Sequence, residues 1–285
     1  MKKLLRSLVM VFLMVPVIVV FTACGAGAKV SAAEMKEYLT DAYTNIDIDV
    51  WTGVQTKMNV GMSAKAGKLS SKTTIKTDSK FVNLDKEVEE IDGISNYSLT
   101  ASAGGAKAKT KVTSYITGGT NYMTDQFGSG MLKIVTKTAD GYSGYNRGSD
   151  SYLSSLENFL ALGNTGGKIN ALIDNGIVTV AKKKNLKNDG YRITFEFDIE
   201  NKFGSVLSGI EYFAGIGSTS TAKGKTSIAF DFDKTQNVTG VEVSVKVSAK
   251  NSGYSVSVNM NISISLYEGT ISAPKGFKTT DYTHL

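Results

Sequence analysis

The chain has 285 residues, 41% hydrophobic and 20% charged, with 32 basic against 26 acidic residues and a formal charge of +6. Its 13 Tyr and 12 Phe, with a steady supply of Val and Ile, exclude a disordered chain and allow one large core. One Cys and one His exclude an intramolecular disulfide framework and a Cys/His zinc site, and the lone His284 near the chain end is a poor general base.

In chain order, Lys2, Lys3 and Arg6 precede an apolar run from Val9 to Phe21 that only Pro16 interrupts, which predicts an export signal over residues 1–23. The run is shorter than the ~20 residues a membrane-spanning helix needs. Thr22 and Ala23 then lead into the sole cysteine, Cys24. This junction resembles the lipobox of bacterial lipoproteins, with Phe21 where that pattern prefers Leu. The resemblance implies that Cys24 is acylated (a palmitate-type lipid anchor), that the membrane is a partner, and that the protein is extracytoplasmic. The alternative is an ordinary signal cut near Ala23 or Ala28, with Cys24 incidental. Residues 24–30 read as a short tether, reaching at most ~20 Å. Loss of the signal leaves 29 basic against 26 acidic residues, or +3, too weak a balance to point to nucleic acid. Lys182 to Lys184 with Lys187 form the densest basic cluster, read as a solvated hairpin end, with contact to anionic headgroups as the alternative.

Residues 31–285 read as one domain. Ser31-Ala-Ala-Glu34 forms a capping box, and Met35, Tyr38, Leu39, Ala42 and Tyr43 follow at helical spacing, predicting a helix over about 31–45. From Ile46 the period becomes two. Val54, Met58, Val60, Met62 and Ala64 share one strand face, opposite Gln55, Lys57 and Asn59. Strands are expected over 69–77, 97–103, 107–117, 119–125 and 131–137, set off by Gly-rich turns such as Gly104-Gly105 and Gly118-Gly119. The later strands alternate more cleanly, at 191–199, 228–232, 241–249 and 254–266, with one wet and one dry face, as antiparallel sheets require. The last would be ~40 Å long at about 3.3 Å per residue. Two helical patterns interrupt the strands. One carries Tyr152, Leu153, Leu156, Phe159 and Leu160; the other carries Phe203, Val206, Leu207, Ile210 and Phe213 and holds Gly204 and Gly209. A short helical piece is also expected near 169–173.

Ten to twelve such strands would span on the order of 50 Å, and a helix covers about 10 Å. The sheet must therefore curl, stack, or leave a cavity. The element order, together with Asp233–Gly240 before a strand and Tyr267–Phe277 with its Pro274 at the end, resembles the lipoprotein-localisation carriers and related glycolipid-carrying lipoproteins. That resemblance implies a mostly β (α+β) fold: a large curved antiparallel sheet forming an incomplete barrel, with an N-terminal helix and inserted lid helices. It also implies a hydrophobic cavity for acyl chains of a lipid or lipoprotein ligand. Met58, Met62, Met123 and Met260 suit an adaptable lining. With Met58 and Met62, the cavity or lid candidates are Tyr152, Leu156, Phe159, Leu160, Phe203, Leu207, Ile210 and Phe213. For each, filling a core is the competing reading, and Trp51 reads as a core anchor.

No catalytic constellation is found, so no enzyme is expected, and no metal or cofactor. No interior His supports a Ser-His-Asp triad. Ser220-Thr-Ala-Lys223 and Gly224-Lys225-Thr226 only partly match nucleophile and phosphate-loop motifs and lack their partner elements. Asp85, Glu87, Glu89, Glu90 and Asp92 read as a solvated acidic turn. The expected function is binding or carrying an acyl-chain ligand in a half-barrel cavity. The alternative is a cell-surface interaction or structural lipoprotein with a filled core.

Overall fold

The computed structural model describes residues 28–45, 50–127, 130–137, 178–186, 189–198, 221–250 and 253–284. The strands are β1 (Ala28–Lys29), β2 (Val54–Ala66), β3 (Leu69–Val82), β4 (Asp92–Ala103), β5 (Ala106–Thr117), β6 (Thr120–Phe127) and β7 (Gly130–Lys137). They continue with β8 (Val178–Asn185), β9 (Tyr191–Asp198), β10 (Thr221–Phe232), β11 (Val238–Lys250), β12 (Tyr254–Leu266) and β13 (Thr283–His284). Among the described residues one α-helix, α1 (Ala32–Thr44), accompanies them, with short 3-10 turns at Val88–Glu90 and Thr279–Asp281. All thirteen strands join one sheet in the order β1-β8-β9-β10-β11-β12-β2-β3-β4-β5-β6-β7-β13. Twelve steps of about 4.8 Å make a sheet of roughly 58 Å.

The order follows from two meanders. Strands β2 to β7 and β8 to β12 each pair with their sequence neighbours in antiparallel fashion, and β12 joins the halves by pairing with β2 from Tyr254↔Ala66 to Leu266↔Val54. The outermost strands, β1 and β13, are two residues each, and such short edges limit pairing with other chains. Among the described residues the sheet is open, not a closed barrel, as expected. The inserted helical patterns at 152–160, 169–173 and 203–213 lie outside the described residues.

Helix α1 starts where the capping box placed it. Ser31 N–H donates to Glu34 Oε2 at 2.7 Å, and Glu34 N–H donates to Ser31 Oγ at 3.3 Å. The helix buries Met35 and Ala42, and its Tyr38 ring lies 5.8 Å from that of Tyr191 on β9. Tyr191 in turn stacks on Phe232 at 4.8 Å. Trp51, Val54, Phe81, Phe195 and Phe232 are each at most 2% exposed in the same core cluster, so Trp51 is the core anchor expected. This core occupies one end of the sheet, where α1 sits.

Two expectations change here. Ala28 and Lys29, assigned to the tether, pair with Lys183 and Lys182 of β8, and Val30 N–H donates to the Ala181 carbonyl at 3.1 Å. Residues 28–30 are therefore held against β8. The Lys182–Lys184 run lies at the end of the β8–β9 hairpin, where Lys184 is exposed as expected but Lys182 and Lys183 are half-buried. Lys182 Nζ meets Glu196 at 2.5 Å. Lys183 Nζ donates to the Tyr38 hydroxyl at 2.8 Å and lies 4.9 and 4.3 Å from the Tyr38 and Tyr191 rings. Only the stem-and-ring packing of a lysine makes this inward position tolerable.

After β12 the chain passes along the other face. Gly53 admits this crossing, since a Cβ there would stand 2.1 Å from the Tyr267 carbonyl oxygen. Phe277 then meets the rings of Tyr115 and Tyr122 edge-on at 4.9 and 5.0 Å. Tyr282 packs on Tyr122 at 5.3 Å, Lys133 bridges Asp281 at 2.8 Å, and β13 ends parallel to β7. The proline-containing tail is thus a strap over β5 to β7.

Candidate functional site

Strand alternation combined with the observed register divides the sheet into two faces. One face carries Ile193 and Phe195 of β9, Ile228 and Phe230 of β10, and Val241, Val243 and Val247 of β11, all buried. It continues through Met260 and Ile262 of β12, Met58 and Val60 of β2, Ile75 of β3 and Leu99 of β4. Across β9 to β12 and β2 to β7, Asp125 on β6 is the sole charged residue in this phase among the described residues. A face of this extent with one ionic group offers mainly apolar contact.

Burial is uneven along it. At the α1 end, side chains are fully enclosed. Toward the β2–β3 and β4–β5 turns, Val60, Ile75 and Leu99 are half-buried, Met62 is 37% exposed and Leu69 is 70% exposed. Met58 lies half-buried on β2, opposite Ile262 and Thr77, which suits a lining position. Met62 stands open at the sheet's unfilled end rather than inside an enclosed cavity. Beside it is an open apolar hollow of about 230 Å³ formed by Ala64, Ala66, Leu69 and Ala103 with their neighbours. Met123 is half-buried on β6 and Met260 buried on β12. Cys24, Tyr152, Leu156, Phe159, Leu160, Phe203, Leu207, Ile210 and Phe213 lie outside the described residues.

Polar groups on the apolar face are mostly satisfied by one another. Ser79 and Ser95 hydroxyls lie 2.7 Å apart, and Ser114 donates to the Asn121 side-chain carbonyl. Such cross-strand pairs let hydroxyl residues occupy buried positions at little cost. One row departs from this. Met58, Thr77, Tyr97, Val112 and Asp125 are successive register partners across β2 to β6. In it, Thr77 Oγ1 and Asp125 Oδ1 are buried with no hydrogen-bond partner. Burial also raises the Tyr97 hydroxyl above the ordinary tyrosine pKa. An unsatisfied buried acceptor costs about 1–3 kcal/mol, so this row is poised for a donor. Sequence alternation did not single out Asp125, because the phase of β6 is set only by its pairing with β5.

The opposite face is polar and carries the strongest ion network. Arg192 donates through Nε and Nη2 to both Asp231 oxygens at 2.6 and 2.7 Å, and through Nη1 to Glu242 at 2.6 Å. Hydrogen bonding to Asp231 drives the Arg192 pKa further upward despite partial burial. Asn261 completes the row by donating to Glu242 at 2.8 Å and Ser244 at 2.7 Å. This network ties β9 to β12 and has no group free for chemistry. Among the described residues no cluster of three or more potential metal ligands occurs, and no helix is long and apolar enough to cross a membrane.

No family model matches the chain, and no curated protein matches it. Among solved structures, a DUF1329 family protein from Desulfovibrio piger is 12% identical, with 88% of this chain and 99% of that chain covered at a TM-score of 0.22. The translocator domain of the autotransporter NalP from Neisseria meningitidis is 7% identical, with 82% and 96% covered at a TM-score of 0.20. At TM-scores this low, neither likeness transfers fold detail or function to the chain.

Proposed function

We propose that this protein is an extracytoplasmic lipoprotein that binds an acyl-chain ligand against the apolar face of its open sheet. The observation that carries the reading is that face itself. It runs across ten strands with a single charged residue in phase, and it is left half-exposed at the end away from α1. Among the described residues nothing closes that end. Burying several hundred Å² of acyl chain at about 25 cal/mol per Å² supplies on the order of 5–10 kcal/mol before the costs of binding. Thr77 and Asp125 supply acceptors for a ligand whose head carries a hydroxyl or amine donor. The action is passive: apolar surface moves from bilayer to protein and back, with no bond made or broken. Attachment through acylated Cys24 would keep the sheet close to its lipid source.

Titration with an environment-sensitive fluorescent fatty acid tests the reading. Saturable enhancement is expected, and Met58→Glu, which places a charge on the lining, should weaken it at least tenfold while the chain stays folded. No enhancement with the folded wild-type chain would favour the surface-interaction alternative. The anchor is tested separately: Cys24→Ala should move the protein out of the membrane fraction, and unchanged retention would refute acylation.

A further inference from the structure

The polar face is electrically split, and the small net charge conceals it. Seven adjacent strands, from β10 through β11, β12, β2, β3 and β4 to β5, share four cross-strand rows between the Ser227–Ser244–Asn261–Asn59 level and the turn ends. Within these rows stand Lys65 of β2, Lys72 and Lys76 of β3, and Lys107, Lys109 and Lys111 of β5, all exposed. Lys223 and Lys225 of β10 and Lys246 and Lys250 of β11, also exposed, extend the field to the other side. The intervening positions are Ser, Thr, Asn and Gly, and no carboxylate occupies any of them. Beyond β10 the same rows meet carboxylates on β9, where Glu196 and Asp198 are the register partners of Ser227 and Lys225 and Lys182 bridges Glu196. Within the seven strands the first acidic residues come one row below, at Asp78 and Glu242, where Gln55 and Arg192 bind them.

The arrangement works against folding. Lys225 and Lys246 are direct cross-strand partners, and like charges in that position destabilise a sheet. Asp198 of β9, the other register partner of Lys225, relieves this only at the β10 edge of the field. Side chains on one strand repeat every two residues, about 6.7 Å, and strands lie about 4.8 Å apart, so the lysines cover roughly 30 by 20 Å. A two-dimensional field of that breadth fits a planar anion better than a linear one. The field holds no aromatic side chain, which removes the stacking platform on which single-stranded nucleic acid is bound.

We infer that this lysine field docks the protein onto an anionic bilayer surface through the lipid phosphates. The inference is independent of the acyl-ligand reading: a filled interior would leave the field as it is, and docking does not require a cavity. Vesicle co-sedimentation of the full chain carrying Cys24→Ala, so that no anchor contributes, provides the test. Phosphatidylcholine vesicles are compared with vesicles of equal phosphatidylcholine and phosphatidylglycerol. Binding to the anionic vesicles only is expected, and raising salt to about 0.5 M should abolish it, since charge interactions are then screened within a few Å. At about fivefold per lysine, Lys65, Lys72, Lys107 and Lys109 together changed to Gln should weaken binding on the order of 10²- to 10³-fold. The same change at Lys86, Lys184, Lys234 and Lys275, exposed lysines outside the field, should cost less than tenfold. Equal losses in the two variants, or equal binding to neutral vesicles, would overturn the inference. So would tighter, field-dependent binding to soluble polyphosphate than to the anionic vesicles, which would assign the field to a linear polymer.

Discussion

Truncating Arg192 to Met leaves Asp231 and Glu242 side by side on the polar face with no cation between them. The three side chains are 22–32% exposed, so the penalty falls below that of a fully buried pair, at about 2 kcal/mol; urea unfolding measures it. Asp125→Leu is expected to act in the opposite direction. It removes a buried acceptor that has no partner and should raise stability by about 1–3 kcal/mol, while weakening ligand uptake. A loss of stability in that variant would mean that Asp125 has a structural partner. Asp281 and Lys133 set the pH behaviour of the tail strap. The Lys133 hydrogen bond holds the Asp281 carboxyl below its usual pKa, and the same bond raises Lys133 above its own. The carboxylate's contribution is thus present above the usual aspartate value and is lost as pH falls through a lower one; the lysine's persists up to and beyond the usual lysine value. Docking of the strap, followed by tail proteolysis, should be flat between about pH 4 and pH 10.

At the scale of elements, the capping box and the period-two runs were legible because each depends on neighbours in sequence. Ser31→Ala should cost about 0.5–2 kcal/mol by removing the N-cap acceptor. The turn at Asp233–Asn237 is equally local. Asp233 Oδ1 accepts from Thr235 N–H, Thr235 Oγ1 and Asn237 N–H at 2.8–2.9 Å. These bonds outweigh partial burial and lower its pKa. Strand β8 was not legible, for a physical reason. A bulge between Val178 and Val180 shifts the register, so its buried residues, Val178 and Ala181, stand three apart and break the alternation. The inward Lys183 hides it further, because its tyrosine partners are distant in sequence. Gly53 was silent for the same reason, since Tyr267 approaches it from 214 positions away. Gly53→Ala should therefore disrupt the β2–β12 junction by more than a surface glycine would, at several kcal/mol, whereas Gly67→Ala, with open space around it, should show only backbone strain.

For the whole molecule, composition established a large one-sided sheet but not what stands against it. The apolar phase of β2 and β12 could be read directly, while the row from Met58 to Asp125 exists only once four registers are known. Charge behaved likewise: a small net charge masked a field of lysines at one end and a carboxylate–arginine network at the other. The proposed lipid uptake rests on an apolar face open at one end among the described residues, and the proposed docking on the lysines of its reverse. Native mass spectrometry of the chain purified from membranes and stripped of detergent tests the uptake directly. The account predicts a fraction carrying a non-covalent lipid mass, lost on mild activation and diminished in Met58→Glu. A single mass for the folded protein alone, before and after incubation with lipid, would contradict it.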